Sequence, residues 1–281
     1  MDQSLLDACS NGNIDEVKQL LNHPNIKVNC QDNPKSKKTP LFISSEKGHI
    51  EIVKLLLNDQ RISINKANYE DQSPFWIACK KGHIEVVKLL LNDKRVEVNQ
   101  KNSYGQTAFW ISCENGHIEI VKLLLNEGGI DINKADNRGQ TPFSISCENE
   151  HMKIVELLFD NERIDVNKEN YGGQTPLYIA CKKGFIEIVR LLLASQSEVD
   201  INKKSSDNKT ALEISIETST QKFGLENDKT PQKYQKSFPL IVELLESYQK
   251  NLIETKIKLR KELNLPPLQG NLLFFFFFSS F

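Results

Sequence analysis

The sequence predicts an all-α solenoid of stacked helix-turn-helix units with projecting β-turn loops. Three registered signals predict it. A Ser/Thr-Pro/Ala pair recurs every 34 residues at Thr39-Pro40, Ser73-Pro74, Thr107-Ala108, Thr141-Pro142 and Thr175-Pro176, and Thr210-Ala211 follows one residue late. A hydrophobic-Asn pair marks Val28-Asn29, Ile64-Asn65, Val98-Asn99, Ile132-Asn133, Val166-Asn167 and Ile201-Asn202, and Gly-His marks Gly48-His49, Gly82-His83 and Gly116-His117. A fixed period of this size means that each unit stacks only on its neighbours.

Residues 73 to 92 show how one unit is built. Ser73 can cap a helix by accepting a bond from a first-turn amide, and Pro74 suits the first helical position, where an N–H would be unpaired anyway. The helix runs to about Lys81. Gly82 tolerates the left-handed conformation that ends it and reverses the chain. A second helix follows from His83, with Ile84, Val86, Val87, Leu89, Leu90 and Leu91 covering more than one stripe, as a helix pressed on several sides requires. Glu85 and Lys88 stay outside as a weak pair, repeated at Glu51/Lys54, Glu119/Lys122 and Glu187/Arg190. The linker from Asn99 to Gln106, rich in Asn, Ser, Gly and Lys, suits a projecting turn.

Composition agrees with a soluble fold. Hydrophobic residues make up 39% and charged residues 26%, and the formal charge of -1 provides no global field for nucleic acid. The start, Met1-Asp2-Gln3-Ser4, does not resemble a secretory signal, so a cytoplasmic or nuclear location is expected.

The order of units follows from these registers. Residues 1–36 are expected to form an N-terminal capping repeat, 37–207 five repeats of about 34 residues, and 208–247 a last repeat interrupted by a polar insertion over 218–239. Residues 248–264 are expected to form a C-terminal capping helix, with Lys256, Lys258, Arg260 and Lys261 near its end and Pro266-Pro267 stopping it. The Phe-rich tail, 265–281, is too short to span a bilayer and is expected to be a disordered end or an artefact of the reading frame. Shallow insertion of that tail in a membrane, helped by the nearby lysines, is the alternative.

These units resemble the ankyrin repeat. Its T-P-L-H-x-A opening is matched in part by Thr175-Pro176-Leu177-Tyr178-Ile179-Ala180 and by Ser73-Pro74-Phe75-Trp76-Ile77-Ala78, and its second helix is similar to Gly82 through Leu91. The resemblance covers about residues 4 to 217. Two departures stand out. Phe42, Trp76, Trp110, Ser144, Tyr178 and Glu213 replace the histidine after T-P-L, so hydrophobic packing is expected in place of its hydrogen bonds. The period is one residue longer than the family's, with the extra residue placed near Asp93-Lys94-Arg95.

The resemblance implies a non-catalytic scaffold or adaptor that binds another protein on its concave face, with no cofactor and no metal. A monomer is expected, with neither nucleic acid nor membrane as its partner. The face is carried over from the family onto loop tips and the ends of first helices. The loop tips are Tyr69, Glu70, Gln72, Ser103, Tyr104, Gln106, Asn137, Arg138, Gln140, Tyr171, Gly172 and Gln174. The helix ends are Glu46/Lys47, Lys80/Lys81, Glu114/Asn115, Glu148/Asn149 and Lys182/Lys183. Tyr69, Tyr104 and Tyr171 are the expected anchors, because rigid aromatic side chains concentrate binding energy. Trp76 and Trp110 are expected to pack loop against helix.

Other repeated polar residues are expected to be structural. Cys9, Cys79, Cys113, Cys147 and Cys181 share one register, with roughly 8 to 10 Å between neighbouring helices, too far for disulfides. His49, His83, His117 and His151 are expected to cap turns, and Asn65, Asn99, Asn133 and Asn167 to form turns. No phosphate loop, H-E-x-x-H, G-x-S-x-G or kinase signature occurs.

Overall fold

The structure is a computed structural model that describes residues 1–159, 161–222 and 236–268. The described residues hold helices and turns and no strand. They fall into a first unit, Met1–Asn137, and a second beginning at Arg138.

The first unit holds four helix pairs: α1 (Asp2–Asn11) with α2 (Ile14–Leu21), α3 (Pro40–Lys47) with α4 (Ile50–Asn58), α5 (Pro74–Lys81) with α6 (Ile84–Leu91), and α7 (Ala108–Glu114) with α8 (Ile118–Asn126). First helices pack on first helices and second on second, in chain order. Each regular pair starts as its sequence dictates. Thr39, Ser73 and Thr107 accept the amides of Phe42, Trp76 and Trp110 at 3.2, 3.1 and 3.2 Å. Gly48 and Gly82 end α3 and α5 with φ of 76° and 77°.

The same glycines let consecutive repeats approach closely. A Cβ on Gly12, Gly48 or Gly82 would lie 3.0, 2.8 and 2.8 Å from the ring of His49, His83 or His117, each from the next repeat. Those rings reach back to carbonyls: Nε2 of His49, His83 and His117 lies 3.3, 3.1 and 2.9 Å from the oxygens of Ser10, Glu46 and Lys80. A carbonyl only accepts, so the proton sits on Nε2. The expectation of a capping histidine is corrected here. None of these three side chains caps its own helix; each bonds one repeat to the one before.

The asparagines of the hydrophobic-Asn pair are also rungs between repeats rather than members of a local turn alone. Asn29 donates to the Arg61 carbonyl at 2.8 Å and accepts from the Ser63 amide at 2.7 Å. Asn65 does the same with Arg95 and Glu97, and Asn99 with Gly129 and Asp131. The Asp-x-Arg segment assigned to the extra residue of the period has a function of its own. Arg61 and Arg95 pair with Asp59 and Asp93, and each also donates to a carbonyl of the preceding second helix, Leu21 at 3.1 Å and Leu57 at 3.2 Å. The longer connection thus ties off an orphan helix C-terminus.

The second unit continues the pattern with α9 (Pro142–Glu148), α10 (Met152–Phe159), α11 (Pro176–Lys183), α12 (Ile186–Leu193) and α13 (Ala211–Lys222), then α14 (Ser237–Lys250) and α15 (Leu252–Glu262). Asn167 forms its rung with Glu198 and Asp200 at 2.7 and 3.0 Å. At Glu150, the chain takes φ of 57° where the other repeats have glycine. At Gly184, the ring above the glycine belongs to Phe238, with a Cβ-to-ring distance of 2.9 Å. Phe238-Pro239-Leu240-Ile241-Val242 thus occupies the place of His49-Ile50-Glu51-Ile52-Val53.

The end of the array differs from the expectation in two respects. The capping helix expected over 248–264 is α15, which starts later, at Leu252: α14 runs on to Lys250, and Asn251 caps α15 by accepting the Glu254 amide at 3.3 Å. The expected polar insertion, 218–239, is helical to Lys222 and again from Ser237; residues 223–235 lie outside the described residues.

The basic residues of α15 are the larger correction. Lys256 and Arg260 are 1% and 2% exposed, so they cannot serve a membrane surface. Lys256 donates to the carbonyls of Ser195 and Ser197, both at 3.1 Å, and Arg260 donates to Ala194 at 2.6 Å. They satisfy the chain just past the C-terminus of α12, where cations are favoured. Only Lys258 and Lys261 of that group are exposed. Among the described residues no helix is long and apolar enough to cross a membrane. The Phe-rich stretch, from 269 onward, lies outside the described residues.

Candidate partner-binding face

The loop tips are built by asparagine. Asn68 Oδ1 accepts the amides of Glu70 and Gln72, Asn102 those of Tyr104 and Gln106, and Asn170 those of Gly172 and Gln174, all at 2.9–3.1 Å. Such a side chain substitutes for a backbone turn partner. The tight reversal needs a left-handed residue, supplied by Asp71, Gly105 and Gly173. Backbone bonds then join tip to tip: Tyr69 to Ser36, Ser103 to Glu70, and Asn137 to Tyr104 in the first unit, and Tyr171 to Arg138 and Ser206 to Gly172 in the second, at 2.8–2.9 Å.

This frame presents the three tyrosines to solvent. Tyr69, Tyr104 and Tyr171 are 64%, 57% and 81% exposed, the only tyrosines among the large exposed apolar side chains of the described residues. Glu70, Ser103, Asn115, Asn137, Arg138 and Asn149 are exposed with them, as are Lys81, Lys182 and Lys183. Lys80, Glu114 and Glu148 are half-buried. Lys80 lies over the Trp76 ring at 5.2 Å, and Lys183 pairs with Glu148 at 3.6 Å.

The glutamines are corrected. Gln72 and Gln140 are buried, and Gln106 and Gln174 half-buried. Gln72, Gln106 and Gln174 use Oε1 to hold Nδ2 of Asn68, Asn102 and Asn170 at 3.0, 2.9 and 3.2 Å, while Gln140 donates to Glu148. Gln72, Gln106 and Gln174 brace the tip instead of facing a partner, because an amide four residues after the turn asparagine closes onto it. Gly172 is half-buried in the same turn.

Trp76 is buried, as the packing role requires, and more than packing replaces the missing histidine. Its indole Nε1 donates to the Gln106 carbonyl at 3.1 Å, so a hydrogen bond still joins first helix to following loop. Trp110 is equally buried.

Among the described residues, no group of three or more His, Cys, Asp or Glu side chains is placed to hold a metal. All six cysteines are free thiols. Burial pushes Cys9, Cys79 and Cys181 up to about 12 and Cys147 higher still, and burial followed by the Asp2 charge pushes Cys30 up to about 11. None would be a thiolate nucleophile near neutral pH.

Sequence reading missed the first tip. Lys35, Lys37 and Lys38 precede Thr39 as Gln72 precedes Ser73, a register the irregular 1–36 unit hid. Lys38 pairs with Glu46 at 2.7 Å, Lys37 lies over the Tyr69 ring at 5.7 Å, and Lys35 is exposed.

Stacked helix pairs, glycine-terminated first helices and asparagine-built tips define a helical repeat array. Models of ankyrin repeats (3 copies) match residues 5–102 and 94–170, and one of ankyrin repeats (many copies) matches 158–215; the chain belongs to the ankyrin repeat family. Among solved structures, the ankyrin repeat domain of Bcl-3, described as a unique member of the IkappaB protein family, is similar over 75% of this chain and 92% of that one, with 26% identity and a TM-score of 0.66. No protein with a curated description matches the chain.

Proposed function

We propose that this chain is a non-catalytic scaffold that holds a protein partner on the face made by its loop tips and first-helix ends. Ankyrin repeats generally mediate protein-protein interactions, and that is the activity class of this chain. The observation that carries the finer reading is the exposure of Tyr69, Tyr104 and Tyr171 on tips fixed by asparagine turns and backbone rungs. A rigid exposed aromatic loses little entropy on binding and contributes large contact area. Glu70, Lys80, Lys81, Ser103, Glu114, Asn115 and Asn137 of the first unit surround two of these anchors. Arg138, Glu148, Asn149, Lys182 and Lys183 accompany the third. The cytoplasm or nucleus remains the proposed compartment.

The test is affinity capture from native cells with the full chain and with Tyr69, Tyr104 and Tyr171 changed to Ala. Selective loss of captured proteins supports the face; an unchanged set argues against it. The membrane-adaptor reading loses half of its basic helix to the interior and is not favoured.

A further inference from the structure

The first unit contains a cleft of about 320 Å³ between two loop tips and the ends of their first helices. Lys35, Lys80, Lys81 and Tyr69 line it, above the buried Ile77. Of its two acidic groups one is charge-paired, and the other, Glu70, is hydrogen-bonded but keeps its charge. Glu46 is held by Lys38 at 2.7 Å, and Glu70 accepts from the Gln72 amide at 2.7 Å. By contrast, Lys35, Lys37, Lys80 and Lys81 form no ion pair among the described residues. Two of them are steered by rings: Lys80 over Trp76 and Lys37 over Tyr69. The corresponding lysine of the second unit, Lys183, is paired with Glu148 at 3.6 Å. The cleft therefore presents unpaired cations beside an exposed aromatic ring, within a chain of almost no net charge.

We propose that this cleft takes an acidic, aromatic-containing segment of the partner protein, its carboxylates meeting Lys35, Lys80 and Lys81 and its aromatic side chain packing on the Tyr69 ring. The inference rests on the partner-binding face described above. Charge complementarity of this kind fixes partner choice and speeds encounter more than it adds affinity, and it weakens with salt. A single-stranded nucleic acid could also stack a base on Tyr69, but a chain with a formal charge of -1 offers a phosphate backbone no field beyond these few lysines, so a short acidic peptide fits better.

The experiment uses the full chain and fluorescence anisotropy of a short fluorescein-labelled peptide of alternating glutamate and tyrosine. Comparison probes are the same peptide with glutamine for glutamate and a single-stranded oligothymidylate. The glutamate peptide is expected to bind, the glutamine peptide about tenfold more weakly, and the difference to shrink in high salt. The variant Lys35→Glu/Lys80→Glu/Lys81→Glu is expected to lose about tenfold, while Lys54→Glu/Lys88→Glu/Lys122→Glu, on the exposed side of the second helices, loses less than about twofold. Lys35→Gln/Lys80→Gln/Lys81→Gln, which introduces no repulsion, is expected to fall between and guards against misfolding. Equal binding of both peptides, equal effects of the two charge-reversal sites, or tighter binding of the oligothymidylate would overturn the proposal. If these results fail while the tyrosine variant still abolishes capture, the face stands and the acidic occupant falls.

Discussion

The two units solve one problem with different side chains. At Gly12, Gly48, Gly82 and Gly184, each left-handed at the end of a first helix, a later segment places a flat ring on the glycine. In the first unit, the ring is histidine, which packs on Gly12, Gly48 or Gly82 and also bonds to a carbonyl of the preceding helix. In the second unit, Gly184 receives Phe238, fully buried and with no hydrogen bond to offer. The glycine site thus selects a flat ring first and polarity second. A histidine there adds a directional bond; a phenylalanine adds buried area.

That difference can be broken most forcefully at Phe238. Phe238→Ala should cost about 3–5 kcal/mol, as large aromatic truncations in a core do, whereas His83→Ala should cost about 1–2 kcal/mol, one hydrogen bond plus partly buried ring contact. Urea unfolding followed separately in each unit compares them; equal costs would erase the distinction.

The closing helix of the second unit gives the next largest effect. Lys256→Ala removes the donor to two carbonyls and a buried stem, and should cost about 2 kcal/mol, while Lys258→Ala on the exposed side should stay within about 0.5 kcal/mol. Burial, helped by the Arg260 charge and opposed by that of Glu198, holds the Lys256 ammonium below its ordinary 10.5, which is the expected behaviour of a structural cation and not of a surface one.

Glu150 sharpens the comparison in the opposite direction. It alone among these turns adopts the left-handed region without being glycine. Glu150→Gly should raise stability by about 0.5–1 kcal/mol, a fraction of the left-handed penalty after the glycine entropy cost. A thermal melt that falls would show that its side chain matters more than its backbone.

The smallest effect is on pH dependence. The hydrogen bond and charge of Arg61 and Arg95 hold the carboxyls of Asp59 and Asp93 below the ordinary 3.8. A depressed carboxylate contributes stability above its unfolded value and loses it as pH falls through its folded one. The second unit has Asn161 in this register, accepting the Arg163 amide at 3.0 Å, and Asn does not titrate. Below about pH 4, the first unit should therefore lose more stability than its Asp59→Asn/Asp93→Asn variant. Parallel acid limbs would contradict that assignment.

Much of this was legible because repeats announce themselves. Thr39, Ser73 and Thr175 with their prolines, Gly48 and Gly82, and the exposed Tyr69, Tyr104 and Tyr171 all sit where their register implies. What escaped was whatever depended on the neighbouring repeat. Phe238 followed by Pro239 does not look like His-Ile, and its role appears only once Gly184 lies beneath it. Gln72 and Gln140 read as loop-tip polar residues because the closure of one onto Asn68 and the bond of the other to Glu148 are three-dimensional. Lys256 and Arg260 read as a basic surface because a sequence shows charge but not the carbonyls past the end of α12 that take them inward. Asn251 sets the start of the final helix through a capping bond that apolar spacing does not report.

The central claim is that the tyrosine-bearing face, and not the second-helix face, meets the partner. A photo-crosslinking residue placed at Tyr104, and in a parallel chain at Lys122 on the exposed side of α8, tests it in native cells. The account predicts a discrete crosslinked protein from position 104 and none from position 122. The same product from both positions, or a product from 122 alone, would contradict it.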